Sequence, residues 1–353
     1  MNNERKYKFM PQKDTGRLSE SDTKKYYSTL GFGVCAFLLA AYVAVIVASI
    51  ICTKWFPWVI DDTVWNKIIS MICQYGIGPC AMLVVLSRLP KDVTPKEKLS
   101  FKQFLGYLCI CATFMTVGSN ISSSVMSIIQ DLLGKTVENP VLSDTSGTHW
   151  AINLVFYAII APIIEELVFR KMVCDRLLPL GEAATVFVSA ALFGLIHGNF
   201  YQFFYAFLVG AIFSYIYIKT GNLLCTTVIH MIINALGGVL APWALDEMVS
   251  LLTEENIALM AGFLEKADFN GYYALIAPYA LPFGLLAAYS IIMNVCSIIG
   301  FVLLMKNLRK IRFTEGLLRP AQEHKISNFF MNGGICAAIA MFTGMFLISL
   351  FDK

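Results

Sequence analysis

The sequence predicts an all-α protein: a polytopic transmembrane helical bundle of eight to nine spans, with its chemistry concentrated in spans four to seven. Three observations predict it. Hydrophobic residues make up 57% of the 353-residue chain and charged residues only 14%, against about 25% charged in a soluble domain. Apolar runs of about twenty residues, the length that crosses a bilayer as a helix, recur from end to end. Basic residues gather in alternate loops, as they do on the cytoplasmic side of membrane proteins. A net charge of +3, spread through short loops, gives no basis for nucleic-acid binding.

The elements follow in order. Residues Met1 to Leu30 are polar, with seven Lys or Arg against four acids, and read as a flexible cytoplasmic tail. The apolar stretch Gly31 to Cys52 is too long for a signal-peptide core and lacks a small-residue cleavage site, so it reads as a retained first span. Nine runs qualify in all: 31–53, 67–88, 103–129, 150–172, 183–197, 199–218, 222–241, 280–305 and 328–350. The fifth is short, and Pro278 and Pro282 predict a kink or re-entrant turn before the eighth.

Loop charge tests this count. Arg88, Lys91, Lys96, Lys98 and Lys102 follow the second span, Arg170, Lys171 and Arg176 the fourth, and Lys306, Arg309, Lys310 and Arg312 the eighth. Nine crossings put all three groups on the side of the amino terminus, which is therefore cytoplasmic, with the carboxy terminus outside. The opposite loop 242–271 is acidic. The chain divides into a tail (1–30), accessory spans (31–149), a chemical core (150–241) and an acidic outer loop with the last spans (242–353). Nearly all ten cysteines lie in apolar runs and read as packing residues. Cys109 and Cys111 have no second pair nearby, so a structural zinc knuckle is not expected.

The chemistry sits in the fourth to seventh spans. Glu165 and Glu166 interrupt the run Trp150 to Phe169, where an ionisable side chain costs about 2.5–3.5 kcal/mol and so marks function. Glu166 and Arg170 are four apart on one helical face and suit a salt bridge. Glu165 is turned about 100° away and faces a different neighbour. Phe193 and His197 share a face, as do His230 and Asn234. Pro179 and Gly181 mark a tight turn, with Glu165 and His197 each sixteen residues from Gly181. In an antiparallel hairpin both lie about 24 Å from the turn, at one membrane depth.

A carboxylate, two imidazoles and an amide suit water activation. Glu165 accepts a proton from water and passes it to a leaving amine. His197 and His230 orient that water, bind a metal or stabilise the oxyanion, and Asn234 donates to the developing charge. Glu165, His197 and His230 are also a zinc donor set, although the H-E-x-x-H helix of the zincins is absent. On this reading Glu166→Gln is milder than loss of Glu165.

These residues carry a resemblance. Glu165-Glu166-x-x-x-Arg170, Phe193-x-x-x-His197 and His230-x-x-x-Asn234, each on its own span, resemble the three motifs of the CPBP (Abi) family of intramembrane proteases, which includes the type II CAAX prenyl endopeptidases. The resemblance covers about residues 150–240. It implies Glu165 as general base, His197, His230 and Asn234 beside it, and Glu166 and Arg170 as supporting residues. It further implies a proteolytic bundle opening toward the cytosolic leaflet, a hydrophobic or membrane-anchored peptide substrate, and, for many relatives, a bacterial plasma membrane. Whether a divalent metal such as zinc takes part is an open point in the family.

Two other classes compete. A non-proteolytic regulator would bind a sensor or envelope enzyme through the same bundle. A secondary transporter would use Glu165 as proton carrier, but no internal repeat accompanies it. His149 and His324 read as solvated bystanders. Phe203, Phe204, Tyr205, Phe207, Tyr215 and Tyr217 read as packing or lipid-facing residues, with a peptide or prenyl groove as the alternative.

Overall fold

The computed structural model describes residues 16, 18–145, 148–321 and 325–351. The tail residues 1–15 and 17, and His324, lie outside the described residues. Among the described residues, eight helices are long and apolar enough to cross a membrane: α1 Glu20–Trp55, α2 Thr63–Leu86, α3 Phe101–Leu133, α4 Trp150–Leu180, α6 Phe200–Thr220, α7 Leu223–Leu251, α8 Phe269–Leu308 and α9 Gly333–Phe351. Between α4 and α6 lies the short apolar helix α5, Glu182–Leu195. No strand occurs among the described residues. Ile50, Leu132, Ile291 and Ile298 are each more than 60% exposed on helix faces, an outer surface suited to lipid and not to water.

Local chemistry sets the helix ends. Ser19 accepts from Asp22 N at 3.0 Å and starts α1 eleven residues before the apolar run, so the last part of the polar tail is helix and not flexible lead. Ser100 and Gln103 form a capping box at the start of α3. Asn199 and Asn222 cap α6 and α7 by accepting from Gln202 N and Cys225 N. Pro278 falls in a single 3₁₀ turn, Ala277–Tyr279, that interrupts α8, where a break was expected. His149 is an exposed N-cap whose Nδ1 accepts from Ala151 N.

The fifth expected span, 183–197, is shorter than expected, and its end is corrected. Helix α5 has 14 residues, about 21 Å, against a hydrocarbon core of about 30 Å. It stops at Leu195, and the chain reverses through Gly198 at φ +66°, a conformation that a side chain makes costly. His197 therefore sits in the turn between α5 and α6, not on a helix. The hairpin register holds nonetheless. Phe169 and Phe193, each twelve residues from Gly181, meet edge to face at 5.0 Å between ring centres.

Hydrogen bonds gather the basic loops at one end of the bundle. Asp92 N donates to Asp175 O at 2.7 Å, Glu97 N to Thr220 O at 2.7 Å, Leu318 N to Pro179 O at 2.8 Å and Leu18 N to Arg319 O at 2.9 Å. Lys219 Nζ reaches Arg312 O at 2.8 Å. The amino-terminal lead and the segments after α2, α4, α6 and α8 thus share one face, as alternating passes require when α5 counts as a pass. At the other end Lys67 Nζ donates to Asp144 O at 2.5 Å, and Tyr201 Oη to Val137 O at 2.8 Å.

Candidate active site

Among the described residues, four π-helical turns lie in the helices that carry the site: Ile72–Ile77, Leu154–Ile160, Leu167–Cys174 and Asn234–Leu240. Such turns interrupt the regular ladder and recur at functional positions. Here they carry or adjoin Tyr75, Glu165, Arg170 and Asn234.

The foundation is a buried ion pair. Glu166 and Arg170 are both inaccessible to solvent. Arg170 donates from Nε to Glu166 Oε2 at 3.0 Å and from Nη2 to Oε1 at 3.2 Å, a two-pronged geometry only a guanidinium supplies. Its Nη1 donates to Ser189 Oγ at 3.0 Å and Ser214 Oγ at 3.1 Å. The Phe193 and Phe213 rings lie 5.3 Å and 5.6 Å from the guanidinium carbon, adding a cation–π contribution. A buried charge needs such pairing to be tolerated.

Glu166 also holds His230. Its Oε1 lies 3.3 Å from His230 Nδ1. A carboxylate only accepts, so this contact selects a proton on Nδ1. The other ring nitrogen, Nε2, faces Glu165, 3.6 Å from Oε2, so His230 lies between the two carboxylates. His197 Nδ1 lies 2.7 Å from the Phe193 carbonyl, which leaves its Nε2 as an acceptor. Phe193 supports both rings, at 5.3 Å from His197 and 5.7 Å from His230, nearly perpendicular to each. Glu166 is therefore more than a partner for Arg170, and the expectation that Glu166→Gln is mild does not agree with this geometry.

Glu165 receives a group that the sequence did not point to. Tyr75 Oη donates to its Oε1 at 2.8 Å. Nothing in the spacing of residues ninety positions apart signals this contact. Asn234 Nδ2 donates to Tyr157 O at 2.9 Å, which uses one of its two amide hydrogens.

Glu165, His197, His230 and Asn234 all line one cavity of about 1010 Å³, at the upper end of the range for ligand sites. Tyr205 lines it too, whereas Phe203 packs on Phe346 and Tyr217 donates to Asp175 Oδ1 at 2.7 Å. The walls of the cavity include Thr63, Asn66 and Gln74 of α2, Asn139, Tyr201 of α6, Leu245 of α7 and Tyr289 of α8.

Zinc accepts imidazole and carboxylate donors. Among the described residues, however, no three His, Cys, Asp or Glu side chains are gathered to hold a metal ion. As arranged, Glu165, His197 and His230 do not fit one, and no step below runs through a metal.

Comparison with known proteins agrees with the motifs. Residues 147–236 match the family model described as type II CAAX prenyl endopeptidase Rce1-like, so the family resemblance read from the three motifs stands. The UPF0177 protein YxdF of Lactococcus lactis subsp. lactis (strain IL1403) is 24% identical over 127 residues, covering 35% of this chain and 71% of that protein. No solved structure matches the chain. The matched stretch ends two residues past Asn234, and Tyr75 and Lys67 lie outside it.

Proposed function

We propose that this protein is an intramembrane endopeptidase that hydrolyses a peptide bond of a membrane-associated peptide or protein with a water activated by Glu165. One observation carries the reading: Glu166 holds His230 by Nδ1 and so turns its Nε2 toward Glu165, inside a cavity and inside the segment that resembles the prenyl endopeptidases.

The tautomers decide the roles. His197, with Nδ1–H engaged by the Phe193 carbonyl, accepts at Nε2. It holds the water by one hydrogen and leaves the other facing Glu165, while His230, between the two glutamates, fixes the place of the Glu165 carboxylate. Glu165 takes one proton of that water as its oxygen bonds to the substrate carbonyl carbon. The carbonyl π electrons move onto oxygen, and the second amide hydrogen of Asn234 is the donor available to that charge. Collapse restores the carbonyl and breaks the C–N bond while Glu165 passes its proton to the departing amine. Tyr75 keeps the carboxylate oriented throughout.

The test compares membrane and released peptides from cells expressing wild-type protein or Glu165→Ala at equal levels. Peptides that appear only with wild type support proteolysis and identify the substrate. Identical peptide sets, with the variant still rescuing a deletion phenotype, overturn it in favour of a binding regulator.

A further inference from the structure

Two adjacent glycines inside a membrane-spanning helix need a reason, because glycine is the poorest helix former after proline. Gly237 and Gly238 stand in α7, three and four residues past Asn234. Elsewhere in the bundle, close packing supplies the reason. A Cβ at Gly31, Gly118, Gly210 or Gly300 would meet a neighbouring helix at 2.0–2.8 Å, so those glycines let helices touch. A Cβ at Gly237 would stand 3.4 Å from Tyr289 Oη, an ordinary contact, and one at Gly238 would meet nothing within 4 Å. Neither residue has a positive φ, so the backbone does not require glycine there. Both line the cavity that holds Glu165, and among the described residues no other glycine does.

Ser122 of α3 is a second, independent sign. It lines the same cavity, is 2% exposed, and its hydroxyl has no hydrogen-bond partner. A hydroxyl inside a helix commonly bonds to the carbonyl four residues back, as Thr116 does to Ala112 O at 3.0 Å. Ser122 does not, and a buried hydroxyl left unpaired beside a cavity is suited to a ligand. The two features flank one groove. Met115 Cε lies 3.9 Å from the position of a Cβ at Gly237, and Ser119 and Ser122 follow Met115 on the same face of α3. Helices α3 and α7 begin at one end of the bundle, where Glu97 N donates to Thr220 O at 2.7 Å. They therefore run side by side in one direction.

We propose that Gly237, Gly238 and Ser122 form a substrate subsite, which receives the main chain of the peptide in extended form beside the scissile bond. The subsite rests on the endopeptidase reading, in which Asn234 donates to the scissile carbonyl oxygen. Gly238 lies one helical turn, about 6 Å, beyond Asn234. An extended peptide rises about 3.4 Å per residue, so a chain held at Asn234 passes Gly238 about two residues from the scissile bond. With no side chain there, its backbone lies close against α7, as glycine permits where a backbone approaches a ligand. The Ser122 hydroxyl both donates and accepts, and pairs with a C=O or an N–H turned toward α3. None of the three residues falls in the matched stretch 147–236, so the subsite is separate from the shared motifs.

The test uses the full-length protein in detergent and a synthetic peptide spanning a bond that wild-type membranes cleave and Glu165→Ala membranes do not. KM, kcat and the melting midpoint are measured for wild type, Gly238→Ala, Gly238→Leu and Ser122→Ala. Gly238→Leu is expected to raise KM by at least about tenfold, and Gly238→Ala by less. Ser122→Ala is expected to raise KM by about three- to tenfold. In all three, kcat is expected to stay within about twofold of wild type, because the reacting groups are untouched. Neither alanine variant is expected to melt below wild type: one gains a better helix former, and the other loses an unpaired buried hydroxyl. Weaker binding without lost stability separates a subsite from a packing role. An unchanged KM in either Gly238→Leu or Ser122→Ala overturns the subsite alone, as does a KM that rises only where the midpoint falls. Gly238→Ala stands in for Gly238→Leu if the larger side chain keeps the protein from accumulating. If wild type cleaves no peptide that Glu165→Ala spares, the endopeptidase reading fails and the subsite falls with it.

Discussion

His230 Nδ1 sits 3.3 Å from Glu166 Oε1, and this contact ties the structural ion pair to the candidate chemistry. Because Glu166 also accepts both prongs of Arg170, a change at Glu166 reaches the site by two routes. It frees the tautomer of His230 and strands a buried guanidinium.

Glu166→Gln is therefore expected to be severe. Breaking one partner out of a buried pair costs about 3–5 kcal/mol. The check is the thermal unfolding midpoint in detergent, together with the nitrogen chemical shifts of the His230 ring. A midpoint within a degree or two of wild type would mean that Arg170 has found another partner.

Tyr75→Phe removes one oxygen and leaves the ring in place. The lost hydrogen bond goes to a carboxylate, so a cost of about 1.5–3 kcal/mol is expected, or roughly ten- to a hundredfold in cleavage rate. Folding is expected to survive. The carboxylate infrared band, assigned by comparison with Glu165→Gln, is expected to move in Tyr75→Phe; an unmoved band would show that the contact does not orient Glu165.

Glu165→Gln, His197→Ala and His230→Ala are each expected to lower cleavage by at least about a hundredfold, the scale of a lost general base or its partner. All three proteins are expected to reach the membrane at wild-type levels. Full cleavage by Glu165→Gln would refute the proposed mechanism.

Gly210→Ala tests the seat of Phe193. A Cβ there would lie 2.8 Å from Phe193 Cδ1, and Phe193 touches both histidine rings. Overpacking of this kind costs about 1–3 kcal/mol. Adding Phe193→Leu is expected to recover part of the loss, read as a coupling in a double-mutant cycle of melting midpoints. Additive losses would place the strain elsewhere.

What the sequence by itself determined is what depends on composition and on spacing along one helix. Hydropathy marks the membrane bundle because the bilayer demands long apolar helices. The i, i+4 pairs mark Glu166 with Arg170 and His230 with Asn234, because four residues make about one turn. Equal distances from Gly181 set Glu165 and His197 at one depth of a hairpin, a register that the contact of Phe169 with Phe193 fits. The tertiary structure alone decided what depends on neighbours far apart in the chain. It brought Tyr75 to Glu165, Ser189 and Ser214 to Arg170, and His230 to both glutamates. It also ended α5 at Leu195 and gathered Glu165, His197, His230 and Asn234 around one cavity. Hydropathy could not show these, since it reports how apolar a segment is and not which segment it packs against.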